Sequence, residues 1–351
     1  MKINQTPYRT SRNYQINNIE VAEDIFNKKL HTFTNFDVEN AEKFRLKTGV
    51  NTKTEVVIDA KLTEQLTKFA NKKVSIDIDK DTEVPIIFTY NLDKQNDSLA
   101  DVLNINIAEN VKAQVVVRYL SNVDAYHNGL IKVSLAKNSN LELCIVTSLR
   151  ENSKNFVLFE NDLQTDAKLN QTIIDFGCAI SVQNFHTNLA GQGAKNHLKS
   201  MYVGKGQDVL DLNYLQSIYG ENAKATMEVV GALNEQACKN FKGTIDFKKG
   251  CKKSVGEEEE FCMLLSKSAK SKALPMLLCG EEDVDGSHSS SVGKVDAKEL
   301  FYVMSRGFDE KEAIKLIVKA KLNAILNTIF DEDLKQETIR EIDRKLDDEK
   351  N

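Results

Sequence analysis

Short polar turns return at near-regular intervals between residues 109 and 273, and each precedes a stretch in which hydrophobic and polar residues alternate. The third residues of these turns lie at positions 111, 139, 167, 194, 223, 237, 251 and 269. The steps between them are 28, 28, 27, 29, 14, 14 and 18 residues. Because half of 28 is 14, the spacing indicates a repeating unit of about 14 residues.

The alternating stretches predict β-strands, for example over Gln114–Leu120, Leu141–Thr147, Thr226–Ala232 and Gly243–Phe247. A strand–turn–strand unit cannot bury its apolar face alone, but stacked copies form one continuous core. The pattern therefore favours a β-solenoid. A β-sandwich is the alternative, but its connections vary in length, whereas these turns keep a nearly constant spacing.

The N-terminal residues predict a small mixed cap on the first coil, with a helix over Val38–Lys47, a strand over Thr54–Asp59 and a helix over Leu62–Lys72. We expect a mainly β protein: a right-handed parallel β-helix with an N-terminal α/β cap and a C-terminal α-helical domain. The expected domain ranges are 1–80, 81–293 and 294–351.

Three helices are predicted in the C-terminal region. Asp296 and Glu299 have capping-box spacing, and Gly307 ends that first helix. Asp309 and Glu312 begin a second helix in the same way. A third, charged helix begins at Asp331 and runs to Arg344. The second helix carries an apolar stripe at Ile314, Ile317, Val318, Leu322 and Ile325.

Composition narrows the function classes. The 351 residues are 41% hydrophobic with a net charge of −5, and no basic stripe points to nucleic acid. The N-terminus has no apolar signal-peptide core, and no apolar run approaches the ~18 residues of a membrane span. The six cysteines form no CxxC pair, which argues against a zinc site and indicates free thiols in a cytoplasmic protein.

The segment from Ala273 onward resembles the end of the core domain of the SufB/SufD family. Family members show a Pro-x-Leu strand, an acidic stretch ending in Val, a Ser-His-Gly-Ala-Thr-Val-Gly turn and a Leu-Phe-Tyr-x-x-Ser-Arg-Gly helix. Here the counterparts are Pro275–Leu277, Glu282–Val284, Ser287–Gly293 and Leu300–Gly307. The turn departs from the family pattern, because three serines follow His288.

The resemblance implies a scaffold subunit for iron–sulfur cluster assembly that is not itself an enzyme. The β-helices of such subunits pair with each other, so a SufB-type paralogue or a second copy is the expected partner. The C-terminal helices of the family carry a SufC-type ATPase, and this chain has no P-loop for a nucleotide of its own. The residues expected to contact the ATPase are Phe301, Tyr302, Met304, Arg306, Ile314 and Ile317.

His288 is the leading candidate ligand for iron or for a transient cluster at the subunit interface, because it corresponds to the family's functional histidine. A histidine that only caps its turn by hydrogen bonds is the alternative. Cys262 and Cys279 are further candidates near the same end, although free cysteines are often simply buried. A single imidazole cannot hold a cluster, so a partner has to supply further ligands.

The remaining cysteines and histidines are expected to be structural. We predict packing roles for the cysteines and surface or turn positions for the histidines, and the acidic run Glu257–Glu260 is predicted to lie at the surface. The residues concerned are Cys144, Cys178, Cys238, Cys251, His127, His186 and His197.

Glu260 indicates which of the two roles the chain has. It occupies the position that the resemblance assigns to an essential cysteine of SufB-type members, which favours a SufD-like role. A SufB-like homodimer that binds a cluster directly through Cys262, Cys279 and His288 is the alternative within the family. A carbohydrate-active β-helix is the alternative outside it, and the C-terminal resemblance argues against that class.

Overall fold

The computed structural model describes residues 1–6, 14–17, 19–27, 30–49 and 60–347. Eighteen strands are present in these ranges: β1 (Phe36–Glu39), β2 (Arg45–Thr48), β3 (Lys72–Ile78), β4 (Ile86–Leu92), β5 (Ser98–Ile107), β6 (Lys112–Ser121), β7 (Tyr126–Leu135), β8 (Asn140–Ser148), β9 (Lys154–Leu163), β10 (Lys168–Asp175), β11 (Ile180–Leu189), β12 (Lys195–Gly204), β13 (Val209–Ile218), β14 (Lys224–Leu233), β15 (Cys238–Phe247), β16 (Ser254–Leu264), β17 (Lys270–Cys279) and β18 (Val284–Lys294). The α-helices are α1 (Ala60–Phe69), α2 (Ala297–Met304), α3 (Glu310–Leu326) and α4 (Glu332–Leu346).

The described strands form two sheets of nine strands each, and from β3 onward consecutive strands alternate between them. The first sheet has the order β1-β4-β6-β8-β10-β12-β14-β16-β18, and the second runs β17-β15-β13-β11-β9-β7-β5-β3-β2. Neighbouring strands are parallel, except that β1 and β2 pair antiparallel with β4 and β3. Each coil thus contributes one strand to each sheet, so the predicted β-solenoid is confirmed.

The recurring turns hold the coils in register. In three successive turns Asn110, Asn138 and Asp166 have φ values of 62°, 57° and 56°, a left-handed conformation that Asn and Asp tolerate. The backbone N–H of Asn110 donates to the carbonyl of Lys137 in the next coil at 3.1 Å, and Asn138 donates likewise to Thr165 at 2.9 Å. The residue after each left-handed position is buried, which explains the period visible in the sequence.

Inward side chains fill the lumen of the solenoid, and some of them are polar. His127 on β7 is fully buried; its Nε2 lies 2.9 Å from Asp101, and its Nδ1 lies 2.7 Å from Asn155. The prediction that His127 lies at the surface or in a turn was therefore wrong. A polar ring can be buried in this position because both of its nitrogens have partners. His186 and His197 lie on β11 and β12 and are partly buried.

Helices cover the outer faces of both sheets. α3 and α4 pack on the first sheet through one apolar cluster, and α1 packs on the second through another. The predicted helix starts are confirmed, since Asp296 caps α2, Asp309 and Glu312 form a capping box on α3, and Asp331 caps α4. None of the described helices combines the length and apolar character needed to cross a bilayer.

The N-terminal region differs from the prediction. The helix expected over Val38–Lys47 was wrong, because this segment contributes to the short strands β1 and β2, whose pairing with β4 and β3 outweighs local helix propensity. The helix expected over Leu62–Lys72 is confirmed as α1, while Thr54–Asp59 lies outside the described residues. The domain boundaries after residues 80 and 293 stay predictions.

Candidate functional site

The C-terminal end of the solenoid is formed by β17 and β18, the last strands of the two sheets. Nearly every residue of β18 is exposed, and His288 lies in the middle of this strand. The prediction that His288 lies in a turn was wrong, since the segment continues the ladder of the first sheet by pairing with β16. His288 is thus presented on an edge strand.

The register of β18 shows which way His288 faces. His288 is the partner of Glu258 on β16, and Ser290 is the partner of Glu260. The Ser290 hydroxyl donates to Oε2 of Glu260 at 2.8 Å, and Glu260 is fully buried. Because alternate residues of a strand share one face, His288 also faces the lumen, directly above Glu258.

Glu260 belongs to a buried ion pair. Nζ of Lys239 donates to Oε1 of Glu260 at 2.6 Å, and both side chains are 0% exposed. The Tyr202 hydroxyl donates to the same oxygen at 3.3 Å. With Ser290, three donors therefore hold the carboxylate of Glu260.

Glu258 is the second buried carboxyl group of β16, and its oxygens are unsatisfied. The side chain is 3% exposed, and neither oxygen has a hydrogen-bond partner among the residues that the structure describes. A Cβ atom at Gly243 would lie 2.0 Å from its Oε1, so a side chain at position 243 would displace this carboxyl group. Burial, and secondly the charge of Glu260, raises the pKa of Glu258 to about 8; the Met276 amide opposes this rise without reaching hydrogen-bond geometry.

The acidic run was therefore misplaced in part. Glu257 and Glu259 are exposed as predicted, but Glu258 and Glu260 point into the lumen. The four glutamates alternate between the two faces of the strand, as expected. The prediction that the carboxyl groups on both faces are exposed to solvent was wrong. The sequence contained a signal for this, because Gly256 and Cys262 share the parity of the two buried carboxyl groups and are typical of an inward face.

The two candidate cysteines lie near the same end of the solenoid but apart from His288. Cys262 is fully buried under Val292, and burial raises the pKa of its thiol. Val292 is four residues from His288, which corresponds to roughly 13 Å along a strand. Cys279 is exposed at the far end of β17. Within the described ranges, no group of three or more His, Cys, Asp or Glu side chains could hold a metal ion.

Of the remaining cysteines, Cys238 and Cys251 belong to the penultimate coil, in β15 and between β15 and β16, while Cys144 and Cys178 lie in earlier coils. Cys144, Cys178 and Cys251 are buried and Cys238 is partly buried, as expected for packing residues. Burial raises the pKa of the Cys144 thiol to about 12, which suppresses its reactive thiolate form.

The C-terminal helices present an apolar surface on α2. Phe301 is 74% exposed, Tyr302 59% and Met304 40%. Arg306 stacks on the Tyr302 ring at 5.1 Å and donates to its hydroxyl at 3.0 Å. Phe308, which was not among the candidates, extends this surface.

Two of the predicted contact residues lie elsewhere. Ile317 is 3% exposed and belongs to the core between α3 and the first sheet, and Ile314 packs partly against that core. We call the exposed residues Phe301, Tyr302, Met304 and Phe308 the α2 surface.

Comparison with known proteins agrees with this architecture. The family model "SUF system FeS cluster assembly, SufBD core domain" matches residues 88–321, which is well over half of the chain. The chain is 26% identical over 311 residues to the iron–sulfur cluster assembly protein SufD of Bacillus subtilis, covering 87% of this chain and 70% of that protein.

More distant relatives are matched over less of their length. SufD of Escherichia coli is 25% identical over 69% of this chain and 58% of its own length. The SufBD family protein PH1385 of Pyrococcus horikoshii is 23% identical over 64% of this chain and 49% of its own length. The matched family model, the solenoid and these SufD relatives lead to one conclusion: the chain belongs to the SufBD family of iron–sulfur cluster assembly proteins.

Proposed function

We propose that this chain is a SufD-like, non-catalytic scaffold subunit that pairs with a SufB-type paralogue and carries a SufC-type ATPase. The observation that carries the proposal is the uncovered end of the solenoid, where β18 presents His288 beside a lumen lined with charged groups. Iron or a nascent cluster is the cargo of this end. The similarity to SufD proteins of two bacteria supports the same role.

The edges of β17 and β18 suit pairing with another β-helix. Each ends its sheet with a free row of backbone donors and acceptors over ten and eleven residues. Such an edge readily adds further strands from a partner chain. A SufB-type paralogue fits better than a second copy, because this chain offers an imidazole while Glu260 replaces the thiol that a cluster prefers.

The α2 surface suits docking of the ATPase. Its aromatic and methionine side chains are the residue types enriched in protein interfaces, and they project from a short helix that leaves them uncovered. All six cysteines of the chain are free thiols, which suits work in a reducing compartment such as the cytoplasm.

The role of His288 is tested by His288→Ala in the complex with both partners. We expect the rate of cluster assembly, followed by visible absorption, to fall at least tenfold while the thermal unfolding midpoint stays unchanged. Ser287→Ala is the matched control, because Ser287 lies on the same exposed strand but on its other face. A normal assembly rate in His288→Ala would contradict the role of this residue.

The docking of the ATPase is tested by Phe301→Asp. A buried aromatic anchor at an interface typically contributes about 2 kcal/mol or more, so co-purification of the ATPase should be lost. Tyr219→Asp is the control, since Tyr219 is also exposed at 48% but lies in a solenoid turn.

Anaerobic reconstitution of the pure chain tests the alternative, because a stable cluster on this chain alone would indicate a SufB-like homodimer.

A further inference from the structure

Glu258 is a buried carboxyl group for which the fold provides no partner. The other buried charges near it are paired: Lys239 with Glu260, and Lys242 with Asp211. Both oxygens of Glu258 stay without a hydrogen bond at 3% exposure. Leaving a buried carboxyl group unsatisfied costs about 1–3 kcal/mol or more, and an apolar residue at this position would avoid that cost.

Glu258 and His288 are neighbours across the last strand pair of the first sheet. The two residues are register partners on β16 and β18, and neighbouring strands lie about 4.8 Å apart. Both face the lumen, as the Ser290–Glu260 hydrogen bond one step along the same strands shows. Among the described residues β18 is the last strand of the first sheet, so the exposed His288 strand lies between Glu258 and the open end.

The geometry points to a two-residue half-site for a divalent transition-metal ion, formed by the carboxylate of Glu258 and the imidazole of His288. This inference deepens the proposed function, on which it rests, by naming a second ligand from this chain. Imidazole with carboxylate is a donor set that suits Fe²⁺ and other first-row ions, and it leaves coordination positions open for a partner's groups.

Glu260 does not compete for this role. Its carboxylate is occupied by Lys239, Tyr202 and Ser290, whereas Glu258 has free oxygens in the same lumen. The adjacent ion pair would still matter to a bound ion, because it fixes the strand on which Glu258 lies. Glycine at position 243 contributes as well, since any side chain there would displace the carboxyl group.

The test is an anaerobic titration of the full chain, without partners, with Co²⁺ as a spectroscopic substitute for Fe²⁺. We expect one equivalent to bind, with visible ligand-field absorption, and Glu258→Gln and His288→Ala each to weaken the dissociation constant at least tenfold. Glu259→Gln is the matched control, because Glu259 is the neighbouring residue of the same type on the exposed face. Its affinity should stay within twofold of the unmodified chain.

The outcomes separate this inference from the proposed function. An unmodified chain that binds no Co²⁺, or a Glu258→Gln variant with unchanged affinity, overturns the half-site and leaves the scaffold role standing. A second outcome is that Glu258→Gln and His288→Ala lose Co²⁺ binding but retain normal partner pull-down and normal cluster assembly. This outcome supports the half-site as a metal site and contradicts its use in cluster assembly. Circular dichroism of each variant verifies that the solenoid is intact.

Discussion

The two ends of the solenoid are built differently. At the N-terminal end β1 and β2 are four residues each, pair antiparallel with the coil below, and carry charges such as Asp37, Glu39 and Lys47. At the C-terminal end β17 and β18 are ten and eleven residues long. Proteins normally protect sheet edges with short, charged strands. The N-terminal end follows that rule, and the C-terminal end leaves long edges available to a partner.

The lumen differs between the ends as well. Near the first coil it is filled by apolar side chains such as Val74, Ile76 and Phe88. Near the last coil it contains Lys239 and two glutamates. Apolar rows provide stability through burial, whereas buried charges provide little net stability and need another reason to be present. Asp101 is also buried in the lumen near the N-terminal end, but His127 and Tyr119 are its partners. Glu258 at the C-terminal end has no such partner among the described residues, which supports the proposal that this end is the functional one.

Lys239→Met should have the largest effect of the changes considered. It removes the partner of a fully buried carboxylate, and breaking such a pair costs about 3–5 kcal/mol in the free energy of unfolding. Urea unfolding followed by circular dichroism measures this loss. The double variant Lys239→Met/Glu260→Met should recover most of it, because no unpaired charge stays behind. If Lys239→Met left the free energy of unfolding unchanged, the buried Lys239–Glu260 pair would contribute no measurable stability to this part of the lumen.

Glu258→Gln should change how stability depends on pH. The folded-state pKa of Glu258 is raised from 4.5 to about 8, so its contribution to stability is complete below pH 4.5 and is lost as the pH rises toward 8. The variant cannot titrate at this position. Its stability relative to the unmodified chain should therefore increase by about 3–4 kcal/mol between pH 5 and pH 8.

Chemical unfolding at both pH values measures this difference. Glu259→Gln serves again as the control, since an exposed carboxyl group has no comparable burial to lose. If the difference in the free energy of unfolding between Glu258→Gln and the unmodified chain were constant across this pH range, the carboxyl group of Glu258 would be solvated, contrary to its burial in the structure.

Lysines on the open edge should weaken pairing. Ser289 and Ser291 lie on β18 with exposed side chains, and edge lysines are a common natural device against strand addition. Ser289→Lys/Ser291→Lys is expected to raise the dissociation constant for a SufB-type partner at least tenfold, or about 1.4 kcal/mol. Asp37→Lys/Glu39→Lys on β1 is the matched control at the capped end and should leave binding unchanged. If both double variants raised the dissociation constant equally, the C-terminal edge would be no more important for partner binding than the N-terminal edge.

The sequence predicts the solenoid better than it predicts the site. The turns were visible because in several coils, as at Asn138 and Ser139, a left-handed residue is followed by a buried one, so both positions are constrained by their own turn. Glu258 and His127 were misplaced because the burial of a polar side chain depends on which face of its strand points inward and on partners from other coils. His288 was identified by resemblance, and its strand position came only from pairing with β16.

Lys47→Ala should have the smallest effect and completes the comparison of the two ends. Nζ of Lys47 lies 3.8 Å from Asp77 at the capped end, and the two side chains are 54% and 35% exposed. Solvent screens such a pair, so its loss should change the free energy of unfolding by less than about 0.5 kcal/mol. Urea unfolding beside Lys239→Met measures the contrast. A loss at the capped end as large as that of Lys239→Met would mean that an exposed charge pair stabilises the fold as much as a buried one, contrary to the difference in solvent screening between the two pairs.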